Sequence, residues 1–186
     1  MSKKKIEKFV GPIGRAQYVH LIEPDNIAFE AKGRKVKPDN KYKITFYVNK
    51  KTDTTALEEV CKAAAKKEWG DVDLKTIKFP FKDGDTKEGW EGAEGNYYLI
   101  LKSQFKPFIV GADGKTILEP DRIYNGCFVR PLVSPYAFIN LKDENEVTLR
   151  LIGIQFVKDG EPFTSGRSGN EFGEISEAEL AEEIPF

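Results

Sequence analysis

Alternating apolar and polar positions recur along the chain and predict β-strands. In the segment KYKITFYVNK the apolar positions share one face and are Tyr42, Ile44, Phe46 and Val48. A period of two indicates a strand with one buried face. The same rhythm occurs in RAQYVHLI, NYYLILKS, RIYNGCFVR and EVTLRLIGIQFVK, so we expect at least five strands. In the last segment, Gly153 predicts a bulge that moves the inward face to Ile154 and Phe156.

One segment, TALEEVCKAAAKKEW, has helical periodicity instead. Thr55 and Glu58 fit a capping box at its start, and its apolar seam consists of Leu57, Val60, Cys61 and Ala64. The glycine-rich stretches KDGDTKEGWEGAEG and DGEPFTSGRSGN predict a long exposed loop and a flexible exit from the domain. A chain of about five strands with one helix between the middle strands predicts a mainly β protein with an OB-type barrel. A sandwich remains the alternative, since strand patterns do not determine closure.

The charges are unevenly distributed along the chain. Residues 171–186 contain six glutamates and no Lys or Arg, whereas residues 1–170 contain 29 basic and 24 acidic residues. We therefore expect an OB-fold domain over 1–170 and a disordered acidic tail over 171–186. The opening MSKKKIEKFVGP has no apolar stretch of signal-peptide length, which predicts a cytoplasmic protein of a host cell, away from membranes.

Candidate catalytic chemistry is sparse. His20 is the only histidine, and Cys61 and Cys127 lie within apolar patterns, so we expect reduced core thiols and no Cys/His zinc site. Asp83, Asp85 and Glu88 could form the carboxylate cluster of a metal-dependent nuclease, although the loop lacks EF-hand spacing. There is no Walker loop, GxSxG or GxGxxG motif. The sequence thus favours a non-enzymatic protein without a cofactor or metal.

The outward strand faces combine cations and aromatic rings and contain no acid. Single-stranded nucleic acid is bound by that mixture, because cations contact phosphates and unpaired bases stack on rings. The predicted contacts are Lys41, Lys43, Tyr47, Tyr98, Lys102, Arg122, Tyr124, Phe128 and Arg130. For each ring, the alternative is a second core layer beneath a loop. An RNA-binding OB or cold-shock-like protein is also open, because nothing here distinguishes the sugars.

The ending AEEIPF places an aromatic residue beside the terminal carboxylate. Such a tip fits a pocket with an apolar floor and a basic rim, and Pro185 lowers the entropy lost on docking. We therefore predict a partner-binding tip whose residues are Glu182, Glu183, Ile184, Pro185 and Phe186. The acidic stretch would also compete for the basic groove of the same protein. A pure adaptor that acts only through this tail is a further alternative.

Two resemblances follow from these motifs. The Ile-Pro-Phe tip resembles that of bacterial single-stranded DNA-binding proteins (SSBs), whose acidic tails recruit replication and repair enzymes. The body resembles a phage-encoded SSB family, formerly a domain of unknown function and distantly similar to the SSB of phage T-seven. The segments that carry this second resemblance span roughly 95–168 and are GNYYLILKS, DGKTI, IYNGCFVRPLVSPYAF and IGIQFVKDGEPFTSGRS.

The resemblance implies an OB-fold with a helix between its third and fourth strands and binding of single-stranded DNA without strong sequence preference. It adds Tyr136 and Phe138 to the candidate DNA contacts, with a role in positioning the turn at Pro135 as their alternative. It also implies that the protein coats and protects single-stranded DNA in phage replication or recombination. The expected partners are DNA and the replication or recombination proteins that the tail recruits; a homodimer is left open.

Overall fold

The computed structural model describes residues 7–26, 28–31 and 33–163. No helix in these ranges is long and apolar enough to cross a membrane. They contain one α-helix, α1 (Thr55–Trp69), and three short 3-10 turns, Leu74–Thr76, Gly84–Thr86 and Pro120–Arg122. Their strands are β1 (Phe9–Val10), β2 (Gly14–Asp25), β3 (Phe29–Ala31), β4 (Arg34–Val36), β5 (Lys41–Asn49), β6 (Lys82–Asp83), β7 (Asn96–Ser103), β8 (Phe108–Val110), β9 (Phe128–Ile139) and β10 (Asn145–Lys158).

Five strands close into a ring in the order β2, β5, β7, β10, β9 and back to β2. All neighbours are antiparallel except β7 and β10, which run parallel with Lys102 opposite Arg150. A closed five-stranded ring confirms the predicted mainly β, OB-type barrel. The helix α1 lies between the second and third ring strands, β5 and β7. Its implied position between the third and fourth strands is therefore wrong.

Inward-facing side chains of the ring form the core. On β5, Ile44, Phe46 and Val48 are fully buried. The antiparallel register with β7 places Leu99 opposite Phe46 and Leu101 opposite Ile44. The predicted parity of β5 is confirmed, and β7 alternates as expected. Each fully buried side chain of this kind stabilises the fold by about 1.5–3 kcal/mol.

The predicted bulge in β10 is present at Gly153. The ladder with β9 loses its regular register between Leu151 and Gly153, and Ile154 then becomes the inward residue with 1% exposure. A Cβ atom at Gly153 would lie 2.7 Å from the ring of Phe108 on β8. Any larger side chain at this position would therefore have to displace the Phe108 ring.

The helix α1 packs against β9 and β10. Its buried residues are Leu57, Cys61 and Ala65. The N-cap residue is Thr54 and its side chain makes no cap hydrogen bond to the backbone, so the predicted capping box of Thr55 and Glu58 is wrong. The Thr54 Oγ1 donates instead to the Glu58 carboxylate at 2.6 Å. Burial raises the pKa of the Cys61 thiol to about 12, and both cysteines are free, as predicted.

Two predicted boundaries change in the structure. The segment RIYNGCFVR becomes a strand only at Phe128, because Pro120 begins a 3-10 turn that holds Arg122. The predicted flexible exit is wrong for residues 159–163, which pack on the barrel. There the Arg15 guanidinium donates to the backbone oxygens of Gly126 and Glu161 and lies 4.1 Å from the ring centre of Phe163.

Candidate nucleic-acid interface

A groove with a volume of about 540 Å³ crosses the outer surface of the barrel, and we call it the groove. The outer faces of β7, β9 and β10 form its floor, and the start of β5 and the residues beside β6 border it. Its cations are Lys41, Lys82, Lys102 and Arg150, and its aromatic residues are Phe105, Tyr136 and Phe138. Four of these seven belong to the predicted DNA contacts: Lys41, Lys102, Tyr136 and Phe138.

The pairing register of three barrel strands places their cations in line beside the groove. Lys43 lies opposite Lys102, and Lys102 lies opposite Arg150. Directly paired residues on one sheet face are about 5 Å apart, so these three side chains form one row across β5, β7 and β10. The row brings positive charge from three separate segments to one line on the surface.

The aromatic side of the groove comes from β9. Tyr136 and Phe138 are two residues apart, so both point outward, and their rings stack with centres 5.5 Å apart and planes 19° apart. The guanidinium carbon of Arg150 lies 5.3 Å from the ring centre of Tyr136. Tyr136 is 47% exposed and Phe105 is 79% exposed. Flat ring surfaces therefore lie open to solvent beside the cation row.

Two carboxylates position the lysines of the row. Lys102 Nζ donates to Asp39 Oδ2 at 2.5 Å, and Lys43 forms an ion pair with Asp25. Burial opposes ionisation of Asp39, yet the hydrogen bond from Lys102 holds the pKa of this carboxyl below its usual value. These lysines are thus partly neutralised, whereas the Arg150 guanidinium faces an aromatic ring.

Tyr47 and Tyr98 are almost fully buried, which contradicts their predicted role as stacking platforms. They are paired across β5 and β7, but they are only 2% and 6% exposed. Trp90, Ala93 and Phe163 cover them and form a second apolar cluster outside the barrel. Burial raises the pKa of the Tyr47 phenol, and its buried hydroxyl has no hydrogen-bond partner among the described residues.

The predicted exposed loop supplies this cover, and we call residues 84–95 the cover loop. The Trp90 ring meets the Tyr98 ring edge-on with centres 5.3 Å apart. At the base of the loop, Lys50 Nζ binds Asp83 at 2.6 Å and Asp85 at 2.5 Å. Hydrogen bonds from Lys50 lower the pKa of both carboxyls. Asp83 and Asp85, which the nuclease hypothesis assigned to metal binding, therefore bind the Lys50 ammonium group and stabilise the base of the loop.

The remaining predicted contacts lie elsewhere, each beside one of residues 155–159, and we call them the far patch. It comprises Arg122, Tyr124, Phe128 and Arg130. Phe128 lies between Arg15 and Lys158, at 5.3 and 4.8 Å from its ring centre. Arg130 donates to Gln155 Oε1, and the Tyr124 hydroxyl contacts Asp159 Oδ1 at 2.8 Å. Arg130 and Tyr136 are six positions apart on β9, which corresponds to about 20 Å.

Sequence reasoning missed three residues of the groove. Arg150 was detectable, because it is an outward position in the alternation of EVTLRLIGIQFVK. Lys82 and Phe105 lie in or beside short irregular segments, where periodicity carries no signal. The predicted tail contacts Glu182, Glu183, Ile184, Pro185 and Phe186 lie outside the described residues.

Comparison with known proteins identifies the family of this chain. The sequence profile of a family described as Enterobacter phage Enc34, ssDNA-binding protein, matches residues 8–184. The chain belongs to this family. A relative of this chain, protein p50 of Acyrthosiphon pisum secondary endosymbiont phage 1, is 33% identical over an alignment of 184 positions. The alignment covers 90% of this chain and 94% of p50.

Solved structures share the fold of this Enc34 family member. The single-stranded DNA-binding protein from bacteriophage Enc34 in complex with ssDNA has a TM-score of 0.63 and 24% identity, over 84% of this chain and 89% of that chain. The single-stranded DNA-binding protein gp2.5 of bacteriophage T7 has a TM-score of 0.57 and 18% identity, over 91% and 100%. The likeness to phage SSBs expected from the sequence is therefore confirmed.

Proposed function

We propose that this protein binds single-stranded DNA in the groove and coats it during phage replication or recombination. The observation that carries the proposal is the stacked Tyr136–Phe138 pair beside the row of Lys43, Lys102 and Arg150. Membership of a family whose reference protein is described as ssDNA-binding supports it.

The cations and the aromatic rings of the groove can bind different parts of a nucleotide. The cations neutralise phosphates and release counterions on binding, which makes affinity depend on salt. The exposed rings offer faces on which unpaired bases stack, at about 1–3 kcal/mol per base. Paired bases are stacked on one another inside a duplex, so this arrangement favours single strands and depends little on sequence.

The test is a titration of the full-length protein with oligo-dT, a matched duplex and oligo-U, at several salt concentrations. We expect oligo-dT to bind far better than the duplex. If about four phosphates are contacted, the log-log salt slope is about −3, from roughly 0.7 per contact on single strands. Equal affinity for duplex and single strand would sink the proposal, and preference for oligo-U would redirect it to RNA. Cleavage of labelled DNA with Mg²⁺ or Mn²⁺ would favour the nuclease.

We further propose that residues 171–186 recruit replication proteins and compete weakly with DNA. The support is the sequence: six glutamates precede Ile184, Pro185 and Phe186 at the end of a chain whose first 170 residues are basic. Removing 171–186 should strengthen oligo-dT binding, most of all at low salt where charges are least screened. Removing only Phe186 keeps every acid, so DNA affinity should hold while binding to a replication protein is lost. Intact partner binding without Phe186 contradicts this role of the tip.

A further inference from the structure

One carboxylate lies directly on the cation row. Asp39 Oδ2 accepts a hydrogen bond from Lys102 Nζ at 2.5 Å, and Lys102 is the middle residue of the row, between Lys43 and Arg150. Burial opposes ionisation of Asp39, but Lys102 and also Lys43 lower the pKa of its carboxyl. The negative charge of Asp39 therefore lies beside two of the three cations that the row presents.

Asp39 belongs to an irregular segment and not to a strand of the ring. Strand β4 ends at Val36 and β5 begins at Lys41, and Asn40 between them has a left-handed backbone with a φ of 51°. The other carboxylate oxygen of Asp39, Oδ1, accepts from the Lys41 backbone N–H at 3.3 Å, which is a long hydrogen bond. The carboxylate can therefore move without breaking the ladder of the barrel.

The Lys102–Asp39 pair is more open than the neighbouring ion pair of the row. The side chains of Lys102 and Asp39 are 42% and 30% exposed, whereas those of Lys43 and Asp25 are 24% and 15% exposed. Exposed ion pairs contribute little to stability, because water competes for both charges. Of the two pairs, Lys102–Asp39 is thus the one that an approaching phosphate can open at small cost.

We propose that Asp39 holds the place of a DNA phosphate on Lys102 in the free protein and leaves this ammonium group when a strand enters the groove. The inference rests on the proposed function and adds an internal competitor to it. An ammonium group has three N–H donors and could bind both anions. The carboxylate and the phosphate would then repel each other at close range, which favours release of Asp39. Asp39 thereby weakens DNA binding.

The experiment is an oligo-dT titration against salt with the full-length protein and with Asp39→Asn. This variant removes the charge and keeps an oxygen for the Lys41 N–H. We expect tighter binding, with a log-log slope that is steeper by about 0.7, the value of one phosphate contact on single strands. If the two lines converge near 1 M salt, the variant binds roughly 5-fold more tightly at 0.1 M. Asp39→Glu keeps the carboxylate and should retain the slope of the parent.

The matched control is Glu144→Gln. Glu144 forms an ion pair with Lys78 Nζ at 2.5 Å, and Lys78 is not among the described residues that line the groove. The control variant removes the same single charge and frees a lysine elsewhere, so its slope should equal that of the parent. Equal tightening by Asp39→Asn and Glu144→Gln would mean that only net charge matters, and it overturns the inference.

The other outcomes separate this inference from the proposed function. Failure of the unaltered protein to bind oligo-dT overturns both. Normal binding by the parent and an unchanged slope for Asp39→Asn overturn the internal competitor alone. Weaker binding by Asp39→Asn also overturns it and shows that Asp39 instead orients Lys102 for the phosphate. Circular dichroism checks that each variant is folded, and Asp39→Ser repeats the test if Asp39→Asn is unstable.

Discussion

Two outward-facing aromatic pairs on this barrel lie in opposite surroundings. Tyr47 and Tyr98 are covered by the cover loop and Phe163, whereas Tyr136 and Phe138 form one wall of an open groove. Both pairs have lysine or arginine neighbours on the same strand face. The difference comes from loops that are distant in sequence: Trp90 reaches the first pair, and no described residue closes over the second. An outward ring is thus a ligand platform only where the rest of the chain leaves it open.

The largest expected effect is that of Tyr98→Ala on stability. Because Tyr98 is buried and braces Trp90, we expect Tyr98→Ala to lower the free energy of unfolding by about 3–5 kcal/mol, the usual cost of deleting a buried aromatic ring. Oligo-dT affinity per folded molecule should change little. Urea denaturation and a DNA titration check both parts. Weaker DNA binding at unchanged stability would show that the cover opens.

The open pair should respond in the reverse way. We expect Tyr136→Ala and Phe138→Ala each to weaken oligo-dT binding by about 1–3 kcal/mol, the value of one stacked base. Stability should fall by less, since Tyr136 is half exposed. The same two measurements apply as for Tyr98. A large loss of stability with normal affinity would instead make these rings core residues that position the turn at Pro135.

Substitutions of two arginines test whether DNA contacts the groove, the far patch or both. Arg150→Ala should make the salt slope shallower by about 0.7 on every oligonucleotide. Arg130→Ala should do so only on strands long enough to travel about 20 Å further along β9. The measurement uses oligo-dT of about 6 and about 16 nucleotides, near the limits of OB-fold site sizes. An Arg130 effect on the short strand would place the DNA on the far patch first.

The smallest expected effect concerns one hydroxyl. Tyr47→Phe removes a buried hydroxyl that has no hydrogen-bond partner among the described residues, so the free energy of unfolding should rise by about 1 kcal/mol. DNA affinity should stay the same. Thermal or urea unfolding measures the change. A loss of stability would reveal a hydrogen bond that this hydroxyl makes in solution.

The sequence pattern correctly predicted the features that depend only on residues close together in the chain. The inward parity of Ile44, Phe46 and Val48 and the bulge at Gly153 follow from alternation within one strand, and both are present. Burial of Tyr47 depends on Trp90 and Phe163, which arrive from far along the chain, so no local period could reveal it.

The contacts within the groove also depend on segments that are distant in sequence. Tyr136 and Phe138 could be found from the sequence, but their meeting with Lys102 and Arg150 depends on which strands pair and in which register. Arg122 was misplaced for a different reason. The alternation there continues through a 3-10 turn that Pro120 begins, and periodicity alone does not detect that turn.

The parallel contact of β7 and β10 is one of two narrow closures of the ring, the other being the two residue pairs between β2 and β9. Within the described part of the chain these strands meet at one residue pair, Lys102 and Arg150, whereas β9 and β10 pair along most of their length. Backbone amides along the β7–β10 seam should therefore be among the least protected of the barrel in hydrogen-exchange experiments. Because both residues of the pair also line the groove, a strand bound across them would span the seam, and its amides should then exchange more slowly.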